Sequence, residues 1–159
     1  MNIPYGRQDV NEDDIDAVTQ VLKSDYLTQG PVVPKFEASL ALHTGAEYAV
    51  AVNSATSALH IACLALDVKP GDCVWTSPIT FVASANCALY CGATIDFVDI
   101  DPISYNMSVT ALSKKLELAK KTNTLPKVVI PVHLAGQSCE MIEIHKLSHE
   151  YGFKIIEDA

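Results

Sequence analysis

The chain has 159 residues, of which 49% are apolar and 19% charged, with 11 Lys and Arg against 19 Asp and Glu for a formal charge of −8. This composition excludes disorder and collagen-like repeats, and the length suits one folded domain with a substantial core. An acidic balance without a basic cluster argues against a nucleic-acid or anionic-membrane surface, so any anionic ligand must be met by local donors.

In chain order, the first predicted helix follows Asn11, a capping residue with Glu12, Asp13 and Asp14 in its first turn and Ile15, Val18 and Leu22 at helical spacing. Gly30-Pro31 breaks it, and a second helix is predicted over 34–44, with proline near its start and Gly45 just past its end. An alternation then sets in. Residues 48–52 read as a strand, 53–57 as a polar loop, and Leu59, Cys63 and Leu66 as one face of a helix. Residues 73–76 read as a strand, 80–90 as a helix stopped by Gly92, 94–100 as a strand and 109–121 as a helix whose lysine pairs form a solvated face. Strand 127–132, helix 140–151 and strand 153–156 complete the series. Short apolar strands alternating with helices predict an α/β fold with a mostly parallel sheet covered on both faces, and ligands in such sheets sit outside the carboxyl ends of the strands. The predicted division is a helical segment over 1–45 and the sheet domain over 46–159.

Five cysteines, an odd number with no CxxC pair, read as buried free thiols in a reducing compartment rather than as disulfides or a zinc site. The start, Met1-Asn2-Ile3-Pro4-Tyr5, has no secretion-signal pattern. The uncharged run from 73 to 95 is interrupted by Pro78, Asn86 and Gly92 and reads as strand, loop and helix rather than a membrane anchor. A cytoplasmic location is expected.

There is no GxGxxG and no GKS/T. Asn53-Ser54-Ala55-Thr56-Ser57-Ala58 lies between a predicted strand and helix, where small residues allow close backbone approach and free N–H groups favour a phosphate; the alternative is that Asn53 or Ser54 merely caps the helix. Asp158, at the end of a strand, faces the crevice and could pair with a cationic ring nitrogen or a metal; the alternative is a cap for a following helix. Phe81 opens a helix where a ring could stack on a flat ligand, although an aromatic there is more often core. His133 reads as a satisfied structural histidine, with an acid–base role as the alternative.

In order along the chain stand Leu27-Thr28-Gln29-Gly30-Pro31 with Phe36-Glu37, Asn53-Ser54-Ala55-Thr56-Ser57-Ala58-Leu59, Pro78-Ile79-Thr80-Phe81-Val82-Ala83-Ser84-Ala85-Asn86, Pro131-Val132-His133-Leu134-Ala135-Gly136 and Glu157-Asp158-Ala159. Together they resemble the DegT/DnrJ/EryC1/StrS family of sugar aminotransferases, and most closely its branch in pseudaminic acid biosynthesis. The resemblance implies the large domain of a fold-type I pyridoxal 5'-phosphate enzyme. It also implies that Thr56 and Ser57, with Ala55 nearby, hold the cofactor phosphate, that Phe81 stacks on the ring and that Asp158 pairs with the ring nitrogen. Tyr5, Asp25, Tyr26, Leu27 and Thr28, again with Ala55, would line the nucleotide-sugar site. The implied reaction moves an amino group from L-glutamate to C4 of a UDP-linked 4-keto-6-deoxy-N-acetylamino sugar, in a homodimer with its active sites at the subunit interface.

The family's Schiff-base lysine belongs to a segment later than Glu157-Asp158-Ala159, and none of the ten lysines present matches it. The chain therefore reads as an N-terminal part of such an enzyme, truncated before the small C-terminal domain and inactive alone. Alternatives are a relative that acts on another nucleotide sugar, a 3-dehydratase of the same family with histidine at the lysine position, and a non-catalytic nucleotide- or phosphate-binding α/β module. A flavodoxin-like domain is disfavoured by the long helical segment before the first strand.

Overall fold

The computed structural model describes residues 6–159, which form two compact units divided between Ala51 and Val52. Tyr5, named above for the sugar site, lies outside the described residues.

The first unit carries two helices. Helix α1 (Glu12–Leu22) starts where Asn11 Oδ1 accepts the Asp13 and Asp14 N–H groups at 2.8 and 3.3 Å while Asp14 accepts the Asn11 N–H at 2.9 Å, a reciprocal capping box. Helix α2 (Val32–Thr44) begins at Pro31 and ends at Gly45 in the left-handed region (φ 72°). Neither helix buries a residue. The strand predicted over 48–52 does not form. A strand needs a ladder partner, and the Ala51 N–H instead donates to Glu37 Oε1 at 2.8 Å.

The second unit is a four-stranded parallel sheet in the order β2-β1-β3-β4, built from β1 (Cys73–Thr76), β2 (Thr94–Phe97), β3 (Val128–Ile130) and β4 (Lys154–Ile155). Helices α3 (Ala55–Ala65) and α4 (Ala83–Tyr90) share one apolar core with Val74, Val128, Ile130 and Ile156. Helices α5 (Val109–Thr122) and α6 (Met141–Tyr151) pack on the other face around Trp75, Val129, Leu112, Leu116, Ile144 and Phe153. The strand residues separate by parity, as a sheet buried on both faces requires.

Strands are shorter than the apolar runs suggest, for local reasons. Pro131 has no N–H and interrupts β3, after which Val132 forms a single bridge with Asp158. The β2 ladder ends with its neighbour at Phe97, and Ile100 turns to pair antiparallel with Met107. Regular α4 starts at Ala83 rather than Thr80 because the first N–H groups bond three residues back, Ser84 to Phe81 and Ala85 to Val82. Gly92 (φ 74°) turns the chain into β2, and a Cβ there would meet Pro70 Cγ at 2.9 Å.

The five cysteines are free thiols, three buried and two half-buried. The Cys87 thiol beside it, together with burial, holds the Cys63 thiol far above its ordinary range. Three lysines of α5 are exposed as expected; Lys115 is not part of that solvated face, since it pairs with Asp96 at 2.7 Å and lies 4.7 Å over the buried Trp75 ring. Among the described residues no helix is long and apolar enough to cross a membrane.

Candidate active site

Chain direction decides where the candidate residues meet. The turn after α3 leads into the first residue of β1, and Lys127, at the entry to β3, donates to the Asp67 carbonyl and to Asp72 Oδ2. The end of α3 is thus tied to the amino edge of the sheet. Its 11 residues, about 16 Å of helix, run back over the strands and bring Ser54–Ser57 to the carboxyl edge. Helix α4 leaves β1 at that same edge. Asp158 shares the parity of Ile156, whose side chain belongs to the α3/α4 core, so its carboxyl group emerges on the face these helices cover.

At the start of α3, Ser54 caps the helix by accepting the Ser57 N–H at 3.2 Å. Capping and anion binding are not exclusive here: among the described residues the Ala55 and Thr56 N–H groups and the Thr56 hydroxyl have no protein partner. The Ser57 hydroxyl is engaged, donating to Asn53 Oδ1 at 2.7 Å and lying 3.2 Å from Ser54 Oγ. Of the two hydroxyls, Thr56 is free to donate as it stands and Ser57 must turn away from Asn53 first.

Asp158 is held on both sides of its backbone, its N–H donating to the Pro131 carbonyl at 3.0 Å and its carbonyl accepting the His133 N–H at 2.8 Å. Its half-buried carboxyl accepts the Ser84 hydroxyl at 2.5 Å through Oδ2. Oδ1 has no protein donor among the described residues. Phe81, one turn before Ser84, is 73% exposed, which removes its reading as a core aromatic.

His133 lies on the opposite parity, where the structural reading fits. Its Nδ1 accepts the Cys139 N–H at 3.2 Å, so the proton sits on Nε2, which faces Glu157 Oε2 at 2.9 Å. Nearby, Asn106 joins two loops by donating to the Gln137 carbonyl and accepting the Leu134 N–H. Asp25, Tyr26, Leu27 and Thr28 belong to the other unit, in the exposed α1–α2 connection, where the Tyr26 N–H and carbonyl both bond to Ser24 Oγ.

Sequence reasoning missed Ser84, Asn106 and the partners of His133. For Ser84 one signal was present: a serine on the inward side of an alanine-rich helix, four residues after Thr80.

The donor set fits an elongated ligand with an anionic group at one end and a cationic nitrogen at the other, the chemistry of pyridoxal phosphate. Free N–H groups at a helix start suit the phosphate, and a fixed carboxylate oxygen suits a protonated ring nitrogen.

Comparison with known proteins bears on the same chemistry. The description of the DegT/DnrJ/EryC1/StrS aminotransferase family matches residues 8–159. The UDP-4-amino-4,6-dideoxy-N-acetyl-beta-L-altrosamine transaminase of Campylobacter jejuni strain 81-176 is 41% identical over 159 residues, which cover 99% of this chain and 40% of that protein. The solved structure of Helicobacter pylori PseC, an aminotransferase of pseudaminic acid biosynthesis, superposes with a TM-score of 0.89 at 32% identity, over 98% of this chain and 41% of that one. The PLP form of a sugar aminotransferase from Streptococcus pneumoniae superposes with a TM-score of 0.87 at 29% identity, over 100% of this chain and 43% of that one. The chain thus spans about two fifths of the length of the relatives it matches. By sequence and by fold, the chain belongs to the DegT/DnrJ/EryC1/StrS aminotransferase family.

Proposed function

We propose that this chain supplies the cofactor-gripping edge of a pyridoxal-phosphate-dependent nucleotide-sugar aminotransferase. Two uncommitted groups support the reading, the N–H and hydroxyl donors of Ala55 and Thr56 and Asp158 Oδ1, both of which chain direction assigns to the carboxyl edge on the α3/α4 face of the sheet. Pyridoxal phosphate, when bound, supplies an electron sink for the carbanion at the reacting carbon.

In this reading Thr56, Ser57 and the Ala55 backbone hold the phosphate. Phe81 covers one face of the ring and limits its tilt. Asp158 keeps the ring nitrogen protonated, and the low-dielectric α3/α4 core behind it strengthens that pairing. Tyr5 and Asp25–Thr28 are the proposed contacts of the nucleotide sugar. The cofactor-binding part lies in the second unit, Val52–Ala159. The proposed substrates are L-glutamate and a UDP-linked 4-keto-6-deoxy-N-acetylamino sugar, the proposed assembly a homodimer, and the proposed location the cytoplasm. The named Campylobacter relative supports the sugar class.

The test is amino transfer by the purified protein in a form that carries the family's Schiff-base lysine as well as these residues, supplied with pyridoxal phosphate, L-glutamate and the UDP-keto sugar. Formation of 2-oxoglutarate and UDP-amino sugar in equal amounts is expected, with Asp158→Asn slower by several kcal/mol of barrier, on the order of one preorganised electrostatic contact. Absence of cofactor-dependent transfer, or an Asn variant within a few-fold of wild type, refutes the reading.

A further inference from the structure

Ser84 is fully buried, yet its hydroxyl meets two acceptors, Asp158 Oδ2 at 2.5 Å and the Phe81 carbonyl at 3.2 Å. A hydroxyl has one proton, and the shorter contact to the charged oxygen takes it. The Thr80 hydroxyl stands 2.7 Å from Ser84 Oγ, and with Ser84's proton committed Thr80 must be the donor of that pair. The result is a directed chain, Thr80 to Ser84 to Asp158, in which each bond polarises the next. It links the segment that enters α4 to a residue beyond the end of β4 and occupies one of the two carboxyl oxygens of Asp158 while the other stays open.

We propose that Thr80 and Ser84 are positioning residues: they fix the rotation of the Asp158 carboxyl group so that Oδ1 alone is presented to the cationic ring nitrogen of the cofactor. This rests on the reading of Asp158 as the ring partner. Both hydroxyls sit within one turn of Phe81, so a single segment, Thr80–Ser84, sets the ring's face and the orientation of its nitrogen partner together. Without Ser84 the carboxyl group rotates, and the ring loses a fixed partner rather than a charge.

The probe is pyridoxamine phosphate, whose binding needs no covalent bond to lysine, titrated into the purified protein as encoded by calorimetry and by the circular dichroism of its ring band. Ser84→Ala is expected to weaken binding about 10-fold, the scale of one charge-assisted hydrogen bond, and to reduce the ring dichroism at saturation. In an Asp158→Ala background the same change is expected to cost less than about 2-fold, since a residue acting through Asp158 has nothing left to position. Thr80→Val, a change of similar shape at a half-buried site, is expected to weaken binding by about 3-fold, a partial loss for removal of the second bond in the chain. It gives the answer if Ser84→Ala does not fold. Loss of equal size in the native and Asp158→Ala backgrounds, or unchanged affinity and dichroism in both Ser84→Ala and Thr80→Val, overturns the proposal. If Asp158→Ala alone leaves pyridoxamine phosphate affinity unchanged, the ring-partner reading itself falls and this proposal with it.

Discussion

Replacing Thr56 by Val separates the anion-binding role of the α3 start from its capping role. The substitution keeps the β-branched shape and nearly the same helix propensity, and the Thr56 hydroxyl has no protein partner among the described residues to lose. Unfolding by urea without cofactor is therefore expected to change by less than about 0.5 kcal/mol, the usual range for a surface substitution away from special features. A hydroxyl donating to a phosphate oxygen is worth about 1.5–3 kcal/mol, so affinity for pyridoxal phosphate is expected to fall about 10- to 100-fold. Ser54→Ala is the opposite control. It removes the acceptor of the Ser57 N–H and is expected to cost about 1 kcal/mol of stability, with a smaller effect on cofactor binding. The pair is read by cofactor titration and by denaturant unfolding of the apoprotein. Unchanged affinity in Thr56→Val, or a loss of apoprotein stability as large as that of Ser54→Ala, refutes the assignment.

Other expectations follow from named contacts. Phe81→Ala removes an exposed ring, so apoprotein stability is expected to hold while cofactor affinity falls about 5- to 10-fold, the scale of one aromatic contact; equal affinities in a titration contradict the stacking role. Gly92→Ala places a Cβ 2.9 Å from Pro70 Cγ at φ 74° and is expected to cost about 1–3 kcal/mol in denaturant unfolding; a smaller loss shows that the turn relaxes. Hydrogen bonding from Lys127 holds the Asp72 carboxyl below its ordinary range. Its contribution is therefore complete above the unfolded value near pH 4 and is lost as pH falls through the lower folded value. Asp72→Asn is expected to be less stable than wild type at pH 7, with the gap closing only below about pH 4; a gap independent of pH contradicts the pairing.

The sheet was legible because its strands are short apolar runs set between capped helices, and a doubly covered parallel sheet needs no alternation. Strand β1 falls at the expected 73–76, but other ends were not legible because each is decided by a neighbour: the β2 ladder ends at Phe97 with its β1 partner, the imino nitrogen of Pro131 interrupts β3, and residues 48–52 have strand-like side chains but no ladder. At Thr56, Ser57 and Asp158 residue type and topology point to the same candidate site. Phe81 required the fold, since only its exposure excludes a place in the core. Ser84 required it more strongly: a serine 74 positions from its carboxylate partner gives no local signal of the pairing.

The most direct measurement is a crystal structure of the protein with pyridoxamine phosphate bound. The phosphate is predicted within about 3.2 Å of the Thr56 N–H and hydroxyl, and the ring nitrogen of the same molecule within about 3.2 Å of Asp158 Oδ1. A molecule that engages only one of these two places, or that binds away from the carboxyl edge of the sheet, contradicts the assignment.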